Sequence, residues 1–291
     1  MRRTAKSVRG FGAIFCAVLG LGLSPFASAQ CIVDSEIAVA IELLQKAGDN
    51  FTVTGTFLRE SSRGRDFVAV TQSSDGQTRT AQFINSRGIN AEQTFRLPYG
   101  RYLTPCEVVE LYTVTLALGP TVAGRPTRLL HLRPNDTLRL GHVLALDEES
   151  SVILRSDTFS EKGELLERHE YATVTIEPLV GVKTNDRSLR ETPRFLKVPG
   201  LPNGYRASLA LGYEGQALFV SDGVAAATVI FEPLPNTVKP GEGAVRRGAT
   251  LTYTRGSLVS GKSILVTVIG EVPLAAARVI ADAVKLTAGQ R

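Results

Sequence analysis

Between Phe51 and Pro178 this sequence falls repeatedly into short runs, several of which alternate apolar and polar residues, and that period limits the fold more than anything else in the chain. In FTVTGTFLR, Phe51, Val53 and Phe57 fall on one face of an extended backbone, with Thr52, Thr54 and Thr56 on the other. RDFVAVTQ, QTRTAQFIN, LYTVTLALG, RPTRLLHLRP, LRLGHVLALDEE, SVILRSDTFS and ELLERHEYATVTIEP also read as strands. Short turns separate them, at Arg63-Gly64, Asp75-Gly76, Asn135-Asp136, Glu149-Ser150 and Lys162-Gly163. Many short strands joined by tight turns imply an antiparallel sheet. A sheet this wide curls, because every strand twists. DSEIAVAIELLQKAGDN, residues 34 to 50, breaks the pattern: Ile37, Ala40, Ile41, Leu44 and Ala47 recur at helical spacing. Asp34 or Ser35 can cap its start and Gly48 can end it. Its apolar stripe needs a partner, and the concave side of the sheet is the natural one.

Residues 181 to 193, GVKTNDRSLRETP, are polar and aperiodic and read as a linker. A second unit follows. YRASLALGYEG, QALFVSDG, AAATVIFEP, GATLTYTRG and KSILVTVIG read as five strands. PNTVKPGEG is a loop by its proline and glycine content, and EVPLAAARVIADAVKL closes the chain as a helix. Pro273 suits its first turn, and Ala277, Ile280, Ala281 and Val284 form its buried face. The expected organisation is a leader over 1–29, a first β-rich domain over 30–180, a linker over 181–193 and a smaller α+β domain over 194–291.

The leader is read from MRRTAKSVRGFGAIFCAVLGLGLSPFASAQ. Arg2, Arg3, Lys6 and Arg9 precede an apolar run from Phe11 to Leu23, and Ala27-Ser28-Ala29 supplies a small-x-small cleavage site. This reads as a bacterial secretory signal peptide rather than a membrane anchor, for which the apolar run is short, or a lipidation signal at Cys31, which Gln30 disfavours. The whole chain has 33 basic and 28 acidic residues, but the leader through Ala29 is basic only, so the exported part is close to neutral. The high isoelectric point therefore argues nothing for nucleic acid. The exported part keeps Cys31 and Cys106, which could bridge in an oxidising compartment or remain separate thiols.

Gly256 to Ser263 matches the letters of a nucleotide-binding P-loop. A working P-loop runs from a strand into a helix whose N-terminus holds phosphate. Here Lys262-Ser263 is followed by Ile264, Leu265, Val266, Thr267, Val268 and Ile269, a mostly β-branched run that favours strand. The stretch is expected to join two antiparallel strands, and no nucleotide or other cofactor is expected. His131, His142 and His169 have no metal-ligand spacing. His142 shares a strand face with Leu140 and Leu144 and reads as a packed histidine, whereas His169 in ERHE and the cluster Asp147-Glu148-Glu149 read as solvated. With no catalytic constellation, the chain is expected to bind rather than react. Phe51, Val53, Phe57, Phe67 and Phe83 are candidates to line a site for acyl chains, or else to form the core under the helix. Arg246 and Arg247, together with Tyr253 on the strand that follows, are candidates to meet a protein partner, or else a solvated edge.

Several segments together resemble the RseB/MucB family of periplasmic regulators of the envelope-stress sigma factor. FTVTGTFLRE is similar to that family's first strand. VAGRPTRLLHLRPNDTLRLGHVLALDEESSVILRSDTFSEKGELLERHEY is similar to its central run of strands. VPGLPNGYR resembles the entry to its second domain, SDGVAAATVIFEP the strand after it, and ILVTVIGEVPLAAARVIADAVKL its ending. The resemblance departs between about Gln72 and Val122, where the segment is shorter and carries Pro98, Pro105 and Cys106. It implies an α+β, β-rich protein: an N-terminal antiparallel half-barrel with a covering helix, like the lipoprotein carrier LolA, and a smaller C-terminal α+β domain. It further implies a periplasmic, non-enzymatic regulator. Such a protein binds the periplasmic segment of a membrane anti-sigma factor of RseA/MucA type and shields it from proteolysis, and lipid or lipopolysaccharide loosens the grip. The alternative is a periplasmic lipid or lipoprotein carrier of LolA type.

Overall fold

The computed structural model describes residues 31–72, 79–83, 93–95, 103–179, 195–209, 217–235, 241–259 and 262–288. The leader over 1–29 and the linker over 181–193 lie outside them. Ile32 to Arg291 form one compact unit built on two antiparallel sheets.

Helix α1, Ser35–Asn50, opens the unit. The Asp34 carboxylate accepts from the Glu36 and Ile37 amides and so fixes the start of the helix. The first sheet contains β1 (Phe51–Ser61), β2 (Gly64–Gln72), β3 (Arg79–Phe83), β4 (Gln93–Phe95), β5 (Tyr112–Leu118), β6 (Thr127–Pro134), β7 (Gly141–Asp147), β8 (Ile153–Phe159) and β9 (Leu165–Pro178). Its nine strands run in the order β4-β3-β2-β1-β9-β8-β7-β6-β5. All neighbours are antiparallel, as the alternating pattern and short turns imply. The closing pair β1 and β9 joins the two ends of the sequence pattern, which the turns alone do not specify.

A second helix, α2 (Pro105–Leu111), occupies a segment to which the sequence pattern assigns no element. Its local signal is a capping box. The Thr104 hydroxyl accepts from the Glu107 amide, the Glu107 carboxylate accepts from the Thr104 amide, and Pro105 follows the cap. Helices α1 and α2 lay Ala40, Ile41, Val108 and Leu111 against Tyr112, Val114, Leu130, Leu132, Leu144 and Leu146 of the sheet.

The second sheet contains β10 (Phe195–Leu196), β11 (Arg206–Leu209), β12 (Ala217–Ser221), β13 (Ala226–Pro233), β14 (Glu242–Arg247), β15 (Thr250–Val259) and β16 (Lys262–Gly270). The order is β10-β11-β12-β13-β16-β15-β14. Helix α3, Leu274–Ala288, packs Ala277, Ile280, Ala281 and Val284 against Val220, Val229, Leu251, Tyr253, Val266 and Val268. All five expected strands are present. Two more flank them, and β14 includes Arg246 and Arg247, for which the pattern predicts a place just before a strand.

Lys262 lies in β16, opposite Val259 across a hairpin, and the Gly256 amide donates to the Gly241 carbonyl at 2.8 Å. The described residues of the match, 256–259 and 262–263, lie in the β15–β16 ladder, and strand rather than helix continues after Ser263.

Candidate functional site

The two sheets meet through buried charge. Arg139 precedes β7 in a segment the sequence pattern had assigned to a strand, and its side chain is fully buried. Its Nε donates to Asp222 Oδ2 at 2.8 Å, and the Tyr112 hydroxyl donates to the same oxygen at 2.9 Å. The remaining guanidinium nitrogens reach Asp136 and the Asn203 carbonyl. Tyr205 stacks its ring 5.1 Å from the guanidinium carbon and donates its hydroxyl to the Leu138 carbonyl at 3.1 Å. Burial works against the Arg139 charge, yet Asp222 and Asp136 more than offset it and hold its pKa above the ordinary value. Burial, reinforced by Asp222, raises both Tyr112 and Tyr205 well above the usual phenol range, so both remain donors.

This latch joins β5 and the β6–β7 connection of the first sheet to the β12–β13 turn of the second. Two glycines permit the approach. A Cβ on Gly204 (φ +79°) would fall 2.6 Å from Leu111, and one on Gly223 (φ +89°) would fall 2.2 Å from Leu103. Nearby, Arg206 pairs with Glu107 of α2. An open cavity of about 310 Å³ lies between α2 and the Asn203–Arg206 segment.

A second charged contact lies at the other end of the interface. Glu167 is 4% exposed, pairs with Arg59 and lies 3.2 Å from His169 Nε2. Across the interface it accepts from the Ala249 amide at 2.8 Å. Burial alone would raise the Glu167 pKa, but the hydrogen bond and charge of His169, the Ala249 amide and Arg59 bring it down to about 2. Glu271 moves the opposite way, raised by burial and by the charge of Glu167. The ERHE stretch, expected to be solvated, is therefore half interface. Asp147, also expected in a solvated turn, is buried. It accepts from Arg125 at 2.6 and 2.9 Å and from the Ser150 hydroxyl at 2.7 Å.

Of the five candidates for lining an apolar site, Phe51, Val53 and Phe57 share one cluster with Ala47 of α1, Leu154 and Tyr171. Phe57 meets His169 and Tyr171 edge-on, with ring centroids 5.3 and 5.9 Å away. Phe67 leaves the set. It stands opposite Leu58, while its neighbour Val68 stands opposite Phe57, so alternation turns Phe67 to the other face, where it is 44% exposed. Phe83 is placed opposite Val68 in register, and its side chain lies outside the described residues. A different set forms the hollow beneath α1. Ile41, Leu44, Val108, Leu130, Leu132 and Leu144 are its walls, with Gln45 and, from the second sheet, Gly223 and Val224. The sequence signal for this hollow was the α1 stripe, not the aromatic residues.

Of the three partner candidates, Arg247 is exposed on the edge strand β14. Arg246 is committed to the Ala249 and Val272 carbonyls at 2.8 and 2.9 Å. Tyr253 is 1% exposed, part of the core under α3, and donates its hydroxyl to Glu242 at 2.8 Å. Alternation in β15 turns it inward, so it offers a partner no surface. Cys31 and Cys106 are both disulfide-bonded. His142 is 1% exposed, as a packed histidine should be, and burial pushes its pKa down to about 4, so the ring is neutral near pH 7. Among the described residues no group of histidine, cysteine and carboxylate side chains could hold a metal ion, and no helix is long and apolar enough to cross a membrane.

The model of the MucB/RseB N-terminal domain matches residues 58–192 and that of the MucB/RseB C-terminal domain matches residues 202–285, together most of the chain. The protein belongs to the MucB/RseB family. The sigma factor AlgU regulatory protein MucB of Pseudomonas aeruginosa is 27% identical over 207 residues, 64% of each chain. The sigma-E factor regulatory protein RseB of Haemophilus influenzae is 26% identical over 182 residues, 56% of each. This MucB/RseB chain thus spans somewhat less than two thirds of the length of these curated relatives. Its fold is that of MucB: the crystal structure of MucB superposes with a TM-score of 0.64 at 21% identity, covering 86% of this chain and 98% of that one. The complex of Pseudomonas aeruginosa MucA and MucB gives 0.63 at 23% identity, covering 85% and 97%. The latch at Arg139 and the contact at Glu167 join the two sheets of this family member.

Proposed function

We propose that this protein is a periplasmic regulator. It binds the periplasmic segment of a membrane anti-sigma factor, shields that segment from proteolysis and so restrains an envelope-stress sigma factor, with lipid or lipopolysaccharide releasing it. The observation that carries this reading is the match of both MucB/RseB domain models across both sheets, in a fold shared with MucB solved together with MucA. The leader over 1–29 supports export, and the two oxidised cysteines fit an oxidising compartment. The first sheet ends at Pro178 and the second begins at Phe195, which supports a division of the chain between them. The protein acts by binding, without catalysis, nucleotide, nucleic acid or metal. Mechanistically it is a two-state device: the partner favours one arrangement of the sheets, a second ligand favours the other, and each weakens the other's binding.

The test is capture of the periplasmic segment of a one-pass membrane anti-sigma factor of RseA/MucA type. The mature full-length chain should retain it at micromolar concentration. Failure to retain it, with lipid still bound, would favour the carrier reading. We further propose that Cys31 and Cys106 bridge to each other, tying the start of the mature chain to α2. Peptide mapping without reductant should recover the two as one linked species, and two separately recovered peptides would refute the pairing.

A further inference from the structure

We infer that the edge strand β14 is a self-recognition surface. It pairs antiparallel with β14 of a second copy of this chain, about a two-fold axis at Ala244, and so joins two C-terminal sheets into one. This goes beyond the regulatory reading above and does not rest on it.

β14 ends the strand order of the second sheet, and five of its six residues are exposed. The Gly256 amide donates to the Gly241 carbonyl, and these two glycines continue the register that sets Glu242 opposite Arg255. Alternate residues of a strand turn their backbone groups to the same side. Gly243, Val245 and Arg247 therefore bond to β15, and the N–H and C=O groups of Glu242, Ala244 and Arg246 point outward. Among the described residues no strand pairs with them. Edge strands are ordinarily protected by proline, a bulge or brevity. β14 has no proline, and its pairing with β15 runs without a register shift, whereas β10 at the far edge has only two residues. Helix α3 packs over β15 and β16 and leaves the approach to β14 open.

What this edge fits is written in its own sequence. Centred on Ala244, the run GEGAVRR sets Gly241 opposite Arg247, Glu242 opposite Arg246 and Gly243 opposite Val245, and a two-fold contact makes each match twice. Opposite residues share a face of the joined sheet. On the face away from α3, Val245, 55% exposed, meets Gly243. A Cβ at Gly243 would touch only the Thr254 hydroxyl, at 3.6 Å, and one at Gly241 would meet nothing within 4 Å, so both glycines leave room for the larger side chain opposite. On the α3 face Glu242 comes beside Arg246. The half-buried Arg246 guanidinium donates to the Ala249 and Val272 carbonyls, and no carboxylate among the described residues pairs with it. Burial lowers its pKa, with only the charge of Glu161 acting against this. Glu242 of the second copy supplies the missing counter-charge. That carboxylate already accepts from Arg278 and Tyr253, at 2.7 and 2.8 Å, and has acceptor sites to spare. Moving the axis by one residue loses the match: on Val245 it sets Ala244 opposite Arg246, and on Gly243 it sets Ala244 opposite Glu242. Backbone, volume and charge thus select one partner and one register. The paired strands exchange about six hydrogen bonds, a small contact for which a Kd on the order of 10 µM is expected.

Sedimentation velocity of the mature full-length protein, from about 1 to about 200 µM, should show monomer converting to dimer. Ala244→Pro should remain monomeric. Its N–H points away from β15, so proline removes a bond of the dimer and none of the fold. Gly243→Cys combined with Val245→Cys tests the register, because these positions face each other in a non-hydrogen-bonded pair with Cα atoms about 4.5 Å apart, a span that a disulfide bridges. Oxidation should link two chains when both cysteines are present and not when either stands alone. In the wild type, the amides of Glu242, Ala244 and Arg246 should exchange about fivefold more slowly or better at the highest concentration, with Gly243 and Val245 unchanged. A monomer at every concentration, a dimer untouched by Ala244→Pro, or a link formed by one cysteine alone would overturn the pairing. Should Ala244→Pro fail to fold, the cross-link and the wild-type exchange decide. If the wild type stays monomeric while Ala244→Pro loses capture of the anti-sigma segment, the edge receives that partner and the self-pairing falls. Failed capture by a protein that dimerises as described removes only the regulatory reading.

Discussion

Asp222→Ala is expected to destabilise the protein by about 3–5 kcal/mol, measured as a fall in the urea midpoint. The size follows from what stays behind. The Arg139 and Asp222 side chains are both fully buried and 2.8 Å apart. Removing the carboxylate leaves a guanidinium in a closed space with Asp136, which is 39% exposed, as its one remaining ion-pair partner among the described residues. It also strips the Tyr112 hydroxyl of its acceptor, a buried donor left unpaired at a cost of about 1–3 kcal/mol. The β12–β13 turn loses its Oδ1 contacts at the same time. The double variant Arg139→Met, Asp222→Leu should recover a substantial part of the loss, because replacing a buried ion pair by apolar groups of similar volume is often close to neutral. Non-additivity of the two changes in a mutant cycle is the signature of a direct pair. If Asp222→Ala costs less than about 1 kcal/mol, the latch does not hold the sheets.

Two carboxylates at the other contact are expected to give pH dependence of opposite sign. The Glu167 pKa lies at about 2, below its ordinary 4.5. Its contribution is present in full above about pH 5 and is lost as pH falls towards 2, an amount of about 3 kcal/mol at 1.36 kcal/mol per unit. Glu271 is raised, so the folded state holds its proton more tightly than the unfolded chain does. Its contribution is favourable only in acid and declines as pH rises from 4.5 through the raised value. At neutral pH, Glu167→Gln should therefore lower the urea midpoint and Glu271→Gln should raise it. The neighbours that set these signs are Arg59 on β1, His169 on β9 and the Ala249 amide before β15. Denaturation of the wild type and both variants from pH 3 to 8 checks the pair of signs. A Glu271→Gln protein less stable than the wild type at pH 7 would contradict the account.

Local pattern carried the reading a long way. The α1 stripe, the Asp34 cap, the strand after Ser263 and the closing helix were all legible, because each rests on neighbours within a few residues. The capping box at Thr104 and Glu107 is equally local, but the seven-residue helix that it starts is too short to show a periodicity. The aromatic candidates show where pattern stops. Alternation places Phe51, Val53 and Phe57 together, but which strand lies beside β1 and in what register decides that Phe67 faces away. Charge was the least legible property. ERHE and Asp147-Glu148-Glu149 look solvated in sequence, yet Glu167 and Asp147 are buried against partners from distant segments. Tyr253 and Arg246 look like surface residues in sequence, yet each is engaged within the second sheet or beside α3.

Composition and periodicity alone determined that this chain would be antiparallel, β-rich and helix-covered, since a strand's exposed and buried faces are written into alternate residues. Only the tertiary structure decided that a fully buried arginine before β7 would find its carboxylate on a turn 83 residues later, or that a valine of that turn would fill the hollow beneath the first helix. Such pairings depend on how two sheets pack, and packing is fixed by contacts between residues too far apart in sequence for any local pattern to relate them.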